Sequence, residues 1–167
     1  MGIRAASFAF VLTCALLGST AQGAELPPIA FLSMGFKEAT MADFASEPEV
    51  FARRADPSGY LAVTADFNGD GKVDEARILL NEQRQVAYVV AVIQTVAKID
   101  TYVLSHMPLH DVKNVGIAPA KPLAADRSRG LPGLTIFALD SGRGEARYFD
   151  GEEFDTRVAV VASDLRI

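Results

Sequence analysis

Nine consecutive residues, Asp66-Phe67-Asn68-Gly69-Asp70-Gly71-Lys72-Val73-Asp74, place oxygen-bearing side chains at the first, third, fifth and ninth positions and glycine at the sixth. That spacing suits a hard divalent cation. Ca²⁺ takes about six to eight oxygen ligands, and alternate residues of a tightly wound loop turn their side chains toward one point. In this reading Asp66, Asn68 and Asp70 each give a side-chain oxygen, Lys72 its main-chain carbonyl, and Asp74 the last carboxylate. Gly71 allows the reversal that closes the ring. Three carboxylates so close together repel one another, and a cation relieves the repulsion. A metal-free explanation stands beside this one, because Asn68-Gly69 is also a hairpin turn signal and Asx side chains bond nearby amides. It leaves unexplained the acids at positions one, five and nine together with the glycine at six.

An EF-hand needs a bidentate Glu at its twelfth position and a helix on either side. Here the twelfth position is Arg77, and the flanks 60–65 and 75–80 are rich in the apolar and β-branched residues of strands. What remains is a calcium loop at the tip of a β-hairpin. The string at 66–74 closely resembles the calcium loops of FG-GAP and VCBS repeat proteins, seen also in integrin-type propellers, and the resemblance spans 60–80. In those proteins the loop recurs in every blade; here it occurs once, in a chain of 167 residues that is too short for a propeller. The closing pattern Glu145-Ala-Arg-Tyr-Phe-Asp150-Gly-Glu-Glu-Phe154, with Ser163-Asp164 behind it, resembles the aromatic-Asp-Gly hairpin that ends many small exported bacterial proteins with one such loop. The two resemblances imply a lone β domain that borrows the calcium hairpin, and they carry no activity with them.

The elements that must position this loop are read from periodicity. Ser46-Glu47-Pro48-Glu49 has the form of a capping box with Pro at the first helical position, which predicts a short helix over 47–55 ended by the turn at 56–59. After Gly59 the sequence reads as strands: 60–65, 75–80, 86–94, 100–106, 134–139, 145–149 and 154–161. The run from Val86 is apolar enough for a buried helix, and its Val, Ile and Tyr content favours strand. Asp150-Gly151 signals a two-residue hairpin. The proline-rich segment 108–133 reads as a long surface loop with a short strand at 115–118. The fold class expected is α+β, mainly antiparallel β: a segment 25–58 that is helical or irregular, then a single β-rich domain over 59–167.

Residues 1–24 have the form of a secretory signal: Arg4, an apolar stretch over 5–17, then small residues to Ala24. The stretch is shorter than the roughly 20 residues of a membrane-spanning helix, so no membrane span is expected after its removal. Cys14, the one cysteine, lies inside it, so a periplasmic or extracellular mature protein would hold together without disulfides. The formal charge of -5 disfavours nucleic acid as a partner.

Other candidates read more simply. His106 and His110 are four apart, but Pro108 between them interrupts a helix and no zinc-protease acid is spaced for them. No Gly-x-Ser-x-Gly elbow is present, so the sequence carries no catalytic motif. Arg127, Arg129, Arg143 and Arg147 read as a solvated face, and Glu152, Glu153 and Asp155 as charges that keep the Asp150-Gly151 turn soluble. The function expected is an exported calcium-binding β domain whose ion is structural and whose partner is a protein or an envelope component. Two alternatives stay open: an envelope inhibitor or adaptor that binds through 108–133, and a small hydrolase with a pocket lined by His106 or His110.

Overall fold

The computed structural model describes residues 29–44, 60–123, 130–154 and 156–161. The signal segment 1–24 and the helix expected over 47–55 lie outside them. Among the described residues the chain is mainly antiparallel β. Helical structure there comprises α1 (Ile29–Ser33) and two 3-10 turns, Met41–Phe44 and Leu109–Asn114. The strands are β1 (Lys37–Glu38), β2 (Ala62–Ala65), β3 (Asp74–Asn81), β4 (Val86–Gln94), β5 (Ile99–Pro108), β6 (Val115–Ala120), β7 (Gly133–Ala138), β8 (Arg143–Tyr148) and β9 (Thr156–Val161). No helix among them is long and apolar enough to cross a membrane.

The first sheet runs β5-β4-β3, and the far flank of β3 is shared by β2 beside residues 74–77 and β1 beside 79–80. The second is the meander β6-β7-β8-β9. A short crossing joins them: the Tyr60 carbonyl accepts the amide of Ile117 in β6, and the Leu61 carbonyl accepts that of Ile78 in β3. The main core lies between the sheets, where Val63, Ile78, Val89, Ile93 and Leu104 meet Ile117, Leu134, Phe149 and Phe154. On its other face the first sheet is covered by Phe31 and Phe36, which pack on Leu79 and Val90. β4 is therefore buried on both sides, which explains its unbroken apolar run. A bulge in β5 sets Val89 against Ser105 and Val90 against Val103, with Leu104 extra.

Two expectations are corrected. The short strand expected at 115–118 is present and longer, as β6, paired along its whole length with β7, whereas residues 109–114 before it form a 3-10 turn and not a free loop. Pro119 is tolerated because β6 is an edge strand of its sheet and needs no amide there. Nor does Asp150-Gly151 close a two-residue hairpin. β8 ends at Tyr148 and β9 begins at Thr156, and the Asp150 carboxylate accepts the amides of Glu152 and Glu153 to form a turn within a longer connection. The longer path lets Phe149 and Phe154 both enter the core.

Candidate metal centre

β2 and β3 form an antiparallel hairpin whose last pair is Ala65 with Asp74, so residues 66–73 are its loop. Strands flank the loop, as expected. Gly69 and Gly71 take φ of +77° and +81°, a region costly for other residues, and these two reversals wind the loop tightly enough for its side chains to reach its own amides.

Asp66 is the hub. One of its oxygens accepts the amides of Gly69 at 2.7 Å and Asp70 at 3.1 Å, and the other accepts that of Gly71 at 2.9 Å. Asn68 accepts the Asp70 amide and Asp70 accepts the Lys72 amide, each at 2.9 Å. Asp74 differs from the rest, being 1% exposed at the base of the loop. Its oxygens accept the amide of Phe67 at 2.9 Å and that of Gln94, at the end of β4, at 2.8 Å. Burial pushes its carboxyl above the ordinary range despite these bonds, and Asp70 adds to the rise.

The structure thus brings Asp66, Asn68 and Asp70 together on one turn through shared amides and sets Asp74 beneath them as a tie to β4. No three Asp, Glu, His or Cys side chains among the described residues converge as a ready metal cluster. The donor set is nonetheless all oxygen, as Ca²⁺ requires, and a carboxylate has about four lone-pair sites. Asp66, Asn68, Asp70, Asp74 and the Lys72 carbonyl are the groups that would hold the ion, whose part would be to neutralise the gathered carboxylates.

Sequence reasoning missed what lies under the loop. Phe67, fully buried, meets Phe154 at 5.6 Å between ring centroids, and Phe154 packs on Phe149 and Tyr102. The loop 66–73 and the closing aromatic pattern are therefore two halves of one cluster. An aromatic residue in a loop of Asp, Asn and Gly is the signal for it. Leu131 also packs over Gly69, with its Cδ2 3.0 Å from where a Cβ would lie. Asn68 and Asp70 face a cleft of about 750 Å³ shared with the 95–98 turn, Tyr102 and Glu152.

The remaining candidates stand elsewhere. His106 lies edge-on to Tyr88, and His110 is exposed beside Asp111 at 3.3 Å. Arg147 is paired with Glu145; Arg127 and Arg129 lie outside the described residues. Comparison of the chain with family models, with curated proteins and with solved structures finds no match.

Proposed function

We propose that the chain is an exported β domain that binds Ca²⁺ in the loop 66–74 and uses the ion structurally, to fix the β2–β3 hairpin. The observation that carries this reading is the gathering of Asp66, Asn68 and Asp70 on a single tight turn above the buried Asp74. Amide dipoles offset part of that charge, and a divalent cation would offset the rest. Extracellular calcium modules bind with Kd of about 10⁻⁴ to 10⁻³ M, a range that suits a protein outside the cytosol. At a hundredfold excess over Kd the ion would add about 2.7 kcal/mol of stability, a substantial fraction of a domain total near 5–15 kcal/mol.

Thermal melts in chelator, in millimolar Ca²⁺ and in Mg²⁺, repeated with Asp70→Ala, test the proposal. A rise in midpoint with Ca²⁺ alone that the variant lacks is the expected result. Identical melts in all conditions would reduce the loop to a polar turn.

The contact of Leu131 with Gly69 favours a second reading, an envelope inhibitor or adaptor that binds its partner through 108–133, with Leu131 linking that segment to the metal loop. An adaptor of this kind would lose partner affinity in chelator. One whose loop acts alone would keep it.

A further inference from the structure

β8 carries charge where its neighbours carry core. Ile117, Leu134 and Ile136 of β6 and β7 point between the sheets, and register places Glu145 beside Ile136 and Arg147 beside Leu134 on that same face. Arg143, two residues before Glu145, shares the face by strand alternation. Polar side chains are tolerated there because the first sheet stops at β5, and the boundary is a groove of about 530 Å³. Met107, Val115, Ile136, Ala138 and Ala159 give it apolar walls, and Arg143, Glu145 and Asp111 stand among them.

The charges do not cancel evenly. Glu145 is taken by Arg147, whose Nε donates at 2.7 Å and whose Nη2 also donates. Asp111, more than half exposed, has His110 at 3.3 Å, an ion pair only when the imidazole is protonated. Arg143 has no carboxylate partner among the described residues. An unpaired guanidinium beside an apolar groove is locally complementary to an anion that brings its own apolar body.

We propose that this groove binds a single-chain fatty acid, with the acyl tail along Met107, Val115, Ile136 and Ala138 and the carboxylate on Arg143. The proposal uses no residue of the metal loop and stands whether or not the loop binds Ca²⁺.

The test is titration of the purified protein with dansyl-aminoundecanoate, followed by displacement with saturated fatty acids of increasing length, with dodecanol and with lysophosphatidylcholine. Saturable one-to-one binding is expected, with affinity rising by up to about fourfold for each methylene that enters the groove. Arg143→Ala should weaken dodecanoate at least about tenfold, as loss of a charge-assisted bond does, and leave dodecanol unchanged, a split that a merely structural role would not produce. Ala138→Phe should abolish binding of both. Should that variant fold poorly, Ala159→Trp fills the groove from an exposed position and adds a fluorescent reporter to a chain that has no Trp. The proposal is overturned by non-saturable binding, by affinity independent of chain length, by lysophosphatidylcholine competing as well as the free acid, or by groove-filling variants that bind like the parent.

Discussion

Replacing Asp74 with Ala in chelator separates the residue's part in the fold from any part in metal binding. The side chain is 1% exposed and accepts the amides of Phe67 at 2.9 Å and Gln94 at 2.8 Å. Removing it strands a fully buried donor and a half-buried one, at about 1–3 kcal/mol for a buried unsatisfied group. Some of this returns, because burial disfavours the carboxylate itself. A net loss of about 2–4 kcal/mol is expected without calcium. Asp70→Ala removes a single surface bond, to the Lys72 amide, and should cost under about 1 kcal/mol in the same buffer. With Ca²⁺ at a hundredfold over Kd, both variants should fall a further 2.7 kcal/mol or so behind the parent. Urea unfolding followed by circular dichroism, in chelator and in Ca²⁺, reads all four differences, provided the slope with denaturant is unchanged. An Asp74→Ala protein within about 0.5 kcal/mol of the parent in chelator, well short of the loss expected for a stranded buried donor, would refute the claim that Asp74 ties the loop to β4.

Three further outcomes follow from the same reasoning. Burial holds the Asp74 and Glu75 carboxyls above their ordinary range, so between the unfolded and the raised folded values the native state binds more protons than the unfolded chain; stability in chelator should therefore rise as pH falls from neutral toward about 4.5, close above the ordinary carboxylate pKa, and a flat or falling series of melts would count against it. Arg77 pairs with Glu38 of β1 and with Glu75 of its own strand, whose side chain is 7% exposed; Arg77→Ala should cost about 3 kcal/mol by stranding that carboxylate, and adding Glu75→Gln should recover part of the loss in a double-mutant cycle. A Cβ on Gly144 would lie 2.1 Å from the Ile136 carbonyl oxygen and 2.6 Å from the Phe137 Cα, backbone that cannot step aside, so Gly144→Ala should lower stability by about 3 kcal/mol or more; a melt within a degree or two of the parent would show that β7 and β8 can part there.

The β elements were legible because their residues state the pattern locally. Val86 to Gln94 reads as a strand from its β-branched content, and β4 spans those residues. The loop 66–74 announces itself by spacing, and the hairpin closes at Ala65 and Asp74. What the sequence hid was tertiary. Pro119 suggests a loop, and only the position of β6 at a sheet edge makes it harmless. Asp150-Gly151 suggests a tight hairpin, and the demand to bury Phe149 and Phe154 overrides it. Asp74 reads as one ligand among five, yet its second bond goes to Gln94, twenty residues on.

That second bond bears on how strongly the loop could hold an ion. Most of the amides that the turn exposes already have carboxylate or carboxamide acceptors: Gly69 and Gly71 on Asp66, Asp70 shared by Asp66 and Asn68, Lys72 on Asp70, and Phe67 on Asp74, which also accepts the Gln94 amide of β4. A loop so satisfied keeps its shape through its own dipoles, and Phe67 locks it from below against Phe154. An arriving cation would therefore spend little on ordering the chain, and it would also gain less than at a site whose oxygens had no other bonds. Asp66 and Asp74 hold the turn closed, whereas Asp70, with one amide bond, keeps the most lone pairs for a metal. In the proposed site that division would leave Asp70 to serve the metal alone and give Asp66 and Asp74 a part in the fold as well, and so modest a gain would suit an environment where calcium is plentiful.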